Sequence, residues 1–198
     1  MIENLTLLLL AAFPLMGSPG PATLSLAATA SVFGVFRSLW YLAGIIFGTS
    51  AVLLMIATGI TGILFAVPGV LPALTAAALF YILYLAYKIA TAPILSQDAK
   101  NETAPSMIGG LLLAIANPKA FAAIGAVYAS VVIVPEQPTL DASAKFATLF
   151  GVIVIVNTSW LLLGAFLANA LRHPRTGRAI NLLFAMLLAL SVAMAVLI

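Results

Sequence analysis

Pro14-Leu15-Met16-Gly17-Ser18-Pro19-Gly20-Pro21 puts three prolines and two glycines into eight residues, in the middle of a charge-free run from Asn4 to Phe36. Proline has no N–H to donate and clashes with the preceding turn, so a helix cannot run unbroken through this segment. A second interruption, Asn117-Pro118-Lys119, comes about ten residues into the apolar run Met107–Val134.

Outward from these two segments the chain is overwhelmingly apolar. Of its 198 residues, 64% are hydrophobic and 7% are charged, and the mean hydropathy is +1.24. A soluble domain carries about 25% charged residues. The 8 Lys and Arg plus 5 Asp and Glu present here cannot cover a water-facing surface. Soluble, disordered and fibrous classes are excluded, and the chain reads as an integral membrane protein. The apolar stretches are long and continuous rather than alternating, so they are helices and not barrel strands. In such a chain the net charge of +3 marks cytoplasmic loops rather than nucleic-acid binding. There is no cysteine, so disulfides and thiolate metal sites are excluded.

Charges and turn residues divide the chain into six expected transmembrane helices, about 5–33, 39–66, 70–92, 107–134, 144–170 and 179–198. Pro68-Gly69-Val70-Leu71-Pro72 separates the second and third, and a polar segment from Pro93 to Ser106 separates the third and fourth. All of 1–198 is expected to form one transmembrane unit. The acidic start Met1-Ile2-Glu3-Asn4, with no small-x-small site after Leu5–Phe13, does not read as a cleaved signal peptide. The first, third and fifth connections carry Arg37, Lys88, Lys100, Arg172, Arg175 and Arg178, whereas the other side carries only Lys145. The six-to-one bias puts the odd connections in the cytoplasm and both termini outside. His173, among arginines, reads as a solvated loop residue.

Each break falls in the first helix of a three-helix half. An odd number of spans inverts the second half, so the chain reads as two inverted three-helix repeats with helices 1 and 4 broken. Interrupted helices in matching positions of inverted halves point to a transport site near the membrane midplane. Irregular backbone at that depth survives only against protein or a water-filled cavity. Half-helix ends there present uncapped amides and a partial positive charge, suited to a carboxylate.

These residues resemble a known family. Pro19-Gly20-Pro21, Gly44-x-x-x-Gly48, Leu83-Tyr84-Leu85-Ala86-Tyr87-Lys88, Asn117-Pro118-Lys119, and the ending with Arg178 and Asn181 are similar to the LysE-type amino-acid exporters, particularly the RhtB (homoserine/threonine efflux) branch. The resemblance covers essentially the whole chain. It implies export of small amino acids or derivatives across the cytoplasmic (inner) membrane, driven by protons or membrane potential with no cofactor. Two positions depart from the pattern: Ala22 replaces the family's usual Asn, and Thr49 its usual acid. Glu3, Asp98, Glu102, Glu136 and Asp141 all fall at the terminus or in connections, which argues against a cationic substrate.

The expected substrate-binding residues are Pro19, Gly20, Pro21, Thr23, Thr49, Asn117, Pro118, Lys119 and Asn157, with no catalytic or metal-binding residue. Lys119 is the one ionisable group read at the centre of a span, where lysine costs about 2.5–3.5 kcal/mol on insertion scales. Anchoring a substrate carboxylate or bonding freed carbonyls would offset that cost. Gly44 and Gly48 read as a close-packing face, on which a homodimer is also expected. Tyr81, Tyr84, Tyr87 and Trp40 read as an interfacial belt, and Trp160 as a cavity neighbour. Hydroxyls in the spans are expected to bond carbonyls of their own or a neighbouring helix. No nucleic-acid partner and no enzyme chemistry are expected, the partners being an amino-acid substrate and lipid. Two rivals stand beside the exporter reading: a transporter of another small solute or ion, and a non-transporting membrane subunit. Two breaks in register favour transport, because a packing subunit has no use for unsatisfied backbone.

Overall fold

The computed structural model describes residues 1–91, 104–170 and 174–197, and among these the regular structure is entirely helical. The helices are α1 (Ile2–Gly17), α2 (Pro21–Phe33), α3 (Val35–Ala57), α4 (Ile60–Ala66), α5 (Val70–Thr91), α6 (Met107–Ile115), α7 (Pro118–Ser130), α8 (Pro138–Ala170) and α9 (Pro174–Leu197). Helices α3 and α8 are each long and apolar enough to cross a membrane. The pairs α1–α2 and α6–α7 each qualify when joined, and each is bent at its break, by 62° and 59°.

The exterior of the molecule differs from that of a water-soluble protein. Its exposed side chains include Phe36, Phe80, Phe166, Leu162 and Met186, whereas Thr23, Ser25, Thr29, Thr49, Asn117, Asn157 and Asn181 are buried. A large apolar exterior, with the polar side chains turned inward among an apolar core, is what lipid as solvent selects. The protein is an all-α, multi-pass membrane protein.

The expected boundaries shift in three places. The segment read as one helix from 39 to 66 starts at Val35 and is interrupted at Thr58-Gly59, where Gly59 takes φ 73°, so α4 is separate. Helix α8 starts at Pro138 rather than near 144, which brings Asp141 and Lys145 into its first turns. There Asp141 Oδ1 accepts the N–H groups of Ile133 (2.5 Å) and Val134 (3.0 Å), and its Oδ2 lies 2.9 Å from Lys145 Nζ. Lys145 also lies over the Tyr128 ring, 5.0 Å from its centroid. Helix α7 stops at Ser130, and Asn4 ties the following connection back to α1 by donating to Val132 O at 2.8 Å. The readings at Asp98, Lys100, Glu102, Arg172 and His173 lie outside the described residues.

Gly44 and Gly48 do form a close-packing face, but within the chain. A Cβ on Gly48 would come 2.7 Å from Leu111 O on α6, and one on Gly44 would overlap Met107 O. Any homodimer therefore uses another surface. The same kind of contact joins α8 to α2, where Gly164 rests on the backbone of Ala27. Tyr81 does not belong to an interfacial belt: its hydroxyl packs over Gly109, and it is only half-exposed. Trp40, Tyr84 and Tyr87 are exposed, as a belt requires.

Candidate functional site

The first break can be followed carbonyl by carbonyl. In an uninterrupted helix Leu15 O would accept from residue 19 and Gly17 O from residue 21, but both of these are proline. Leu15 O instead accepts the Ser18 hydroxyl at 2.9 Å, and Gly17 O accepts Trp160 Nε1 from α8 at 3.0 Å. Ser18 O and Pro19 O, beyond the end of α1, both accept Lys119 Nζ, the second at 3.2 Å. Helix α2 then restarts with Pro21 in its first turn, where the missing N–H costs nothing. Thr23 closes that turn: its Oγ1 accepts Gly20 N–H at 2.9 Å and donates to Gly20 O at 3.1 Å.

The second break is built the same way. Pro118 has no N–H for Ala114 O, which takes the Asn117 N–H at 3.4 Å instead. Asn117 caps α7 with its side chain, Oδ1 accepting Lys119 N–H at 3.2 Å. Lys119 thus starts α7 at one break and holds the carbonyls of the other. Its stem crosses Gly20 so closely that a Cβ there would lie 2.6 Å from Lys119 Cδ. The backbone at Gly20 is simply extended, so a larger residue there would be opposed by this lysine chain and not by backbone strain.

Between the breaks lies a small open-sided cavity of about 40 Å³. Its polar side is Gly20, Thr23, Thr49, Asn117, Lys119 and Asn157, and its apolar side includes Met16, Ala120, Ile124, Ile153 and Val156. Six of the nine expected site residues therefore converge on one cavity. Pro19, Pro21 and Pro118 do not line it; they shape the breaks. Asn157 faces the cavity while its Nδ2 donates to Ile153 O at 2.8 Å, so it is both self-paired and site-lining.

Sequence reasoning missed the apolar wall. Met16, Ala120, Ile124, Ile153 and Val156 are ordinary membrane-helix residues, and nothing in their identity separates a cavity wall from a lipid face. The spacing of Ile153, Val156 and Asn157 at three to four residues would have placed them on one face of α8 once Asn157 was assigned inward.

The family model of the LysE type translocators matches residues 14–198, from the first proline of the break to the last residue. This chain belongs to the LysE type translocator family. It is a membrane translocator and not an enzyme. It is 30% identical over 179 residues to the cysteine/O-acetylserine efflux proteins of Salmonella choleraesuis (strain SC-B67) and Salmonella typhimurium (strain LT2), with 86% of each chain covered. No solved structure gives a significant match.

Proposed function

We propose that this translocator exports a small neutral, zwitterionic amino acid or derivative across the cytoplasmic membrane, with the cavity between the two breaks as its binding site. The observation that carries this reading is the meeting of a fixed cation, Lys119, with amide, hydroxyl and glycine backbone groups in one cavity that also has an apolar wall. A zwitterion needs opposite charges recognised a few ångströms apart. The apolar wall of Met16, Ile124, Ile153 and Val156 suits a short uncharged side chain. Thr49, in place of the family's usual acid, supplies no countercharge for a cationic side chain. Cysteine and O-acetylserine, for which the relatives are named, are small neutral zwitterions and the first substrates to test.

The six-span, inverted-repeat arrangement and the RhtB branch belong to the same proposal. The nearly equal bends and the proline that opens both α2 and α7 support the repeat. With both termini outside, α2 and α6 form the cytoplasmic half of the broken spans, and α1 and α7 the outer half. Pro21–Ala30 of α2 are all buried, and α2 and α6 are locked to α8 and α3 through Gly164, Gly44 and Gly48. The cavity instead extends along Ala120, Ala123 and Ile124 of α7. The conformation is thus closed toward the cytoplasm, and rocking of one half on the other would open the opposite side.

Counterflow in proteoliposomes tests the reading. Preloaded small neutral amino acids should drive uptake of labelled cysteine or O-acetylserine, while lysine and glutamate should not. If no amino acid in such a panel moves, the reading is wrong.

A further inference from the structure

Two backbone carbonyls, Ser18 O and Pro19 O, stand at the end of α1 with no amide to bond, and an ammonium group fills them: Lys119 Nζ, from the other half of the molecule. The carbonyl end of a helix carries a partial negative charge, which favours a cation. The same lysine stem and Gly20 border the cavity. A primary ammonium is also one half of every amino acid. We propose that Lys119 is a built-in stand-in for the substrate's α-ammonium. On binding, the substrate's own ammonium takes the Ser18 and Pro19 carbonyls, and Lys119 swings into the cavity to pair with the substrate's carboxylate. This rests on the exporter reading and names the groups that would recognise each end of the substrate.

Charge arithmetic favours the exchange. The empty site holds one positive charge, satisfied by two carbonyls. A zwitterion brings one charge of each sign, so the occupied site still holds a net single positive charge, and every ion in it has a partner. A bare amine would add a second uncompensated cation beside Lys119, which a poorly solvated site resists strongly. A bare carboxylic acid would draw Lys119 away and leave both carbonyls without a donor. Selection for zwitterions thus follows without any carboxylate in the site, consistent with Thr49 where the family has an acid. Gly20 is what allows the resting contact, since a Cβ there would displace the lysine stem from the two carbonyls.

The test is ligand-dependent thermal stability in detergent at pH 7, with L-serine, L-serinamide and n-propylammonium as probes, for the parent protein and Lys119→Ala. The parent should be stabilised by L-serine only. Lys119→Ala should melt at a lower temperature than the parent, regain most of the loss with propylammonium, and be stabilised by serinamide at least as well as by L-serine. Its zwitterion transport should fall about tenfold or more, as expected for a lost charged hydrogen bond. Failure of propylammonium to raise the melting temperature of Lys119→Ala, or equal stabilisation of the parent by serinamide and L-serine, would overturn the proposal. If Lys119→Ala cannot be purified, Lys119→Met, which also leaves the two carbonyls without a donor, takes its place and the same comparisons decide. The amine rescue needs no transport, so it stands apart from the exporter reading, which fails on counterflow alone.

Discussion

Gly20 and Gly17 lie three residues apart in the same break and differ in what surrounds them. A Cβ on Gly17 would meet only Val156 Cγ2 at 3.7 Å, an ordinary contact, whereas on Gly20 it would meet the Lys119 stem. Gly17→Ala should therefore change stability by no more than about 0.5 kcal/mol. Gly20→Ala should cost about 1–3 kcal/mol, because Lys119 must leave its two carbonyls or the breaks must separate. Paired melting curves in detergent check this, and equal melting temperatures for the two variants would show that Lys119 does not cross Gly20. At this scale the sequence was informative wherever chemistry is rare: a lysine and three prolines stand out in a chain of Leu, Ala and Val. It did not show that Lys119 serves the first break, since that pairing spans 100 residues and has no local signature.

Among the helices, the most consequential contacts are those in which a glycine lets two backbones touch. Gly164 of α8 lies against Ala27 of α2, close enough that a side chain must push them apart. Beside this contact Thr29 is fully buried, and its Oγ1 has no hydrogen-bond partner. A buried, unpaired hydroxyl costs about 1–3 kcal/mol, which hydration in a second conformation would relieve. Gly164→Val should open the cytoplasmic side. A single cysteine at Thr29, in this cysteine-free chain, should then react with a maleimide applied from the cytoplasmic face much faster than in the Gly164 parent. Unchanged labelling would mean that α2 and α8 do not form the gate. The Gly44-x-x-x-Gly48 spacing announced close packing but not its partner, because a small-residue face fits a helix of the same chain and one of a second chain equally well.

For the whole molecule, the arrangement of charge carries two expectations. Six of seven loop Lys and Arg lie in the odd connections, so an impermeant thiol reagent outside the cell should label a cysteine at Thr139 and not one at Asp98. The reverse pattern would invert the molecule. Thr139 is the better outer position, since Asp141 is engaged with Ile133, Val134 and Lys145. The second expectation concerns energy. Asp141 is already paired with Lys145, and among the described residues no carboxylate lines the cavity, so the charge at the moving site is that of Lys119. One elementary charge moved across the field is worth about 2.3 kcal/mol per 100 mV. Transport should respond more to collapse of the membrane potential than to collapse of the pH gradient. Full dependence on the pH gradient at zero potential would require a proton route instead.

The sequence by itself determined the solvent, the helical class and the positions of both breaks. These follow from quantities summed along the chain or from residues whose backbone chemistry is local: too few charges to face water, apolar runs too long for strands, and prolines without an N–H. It also named nine candidate site residues around the breaks, of which Gly20, Thr23, Thr49, Asn117, Lys119 and Asn157 line the cavity and Pro19, Pro21 and Pro118 do not. Only the tertiary structure decided which carbonyls Lys119 fills, that Trp160 caps Gly17, that Gly44 and Gly48 face α6, and which apolar residues form the cavity wall. Each of these depends on groups distant along the chain meeting in space. A leucine-like side chain facing lipid and one facing a cavity are the same in sequence, and they differ only in what the fold sets opposite them.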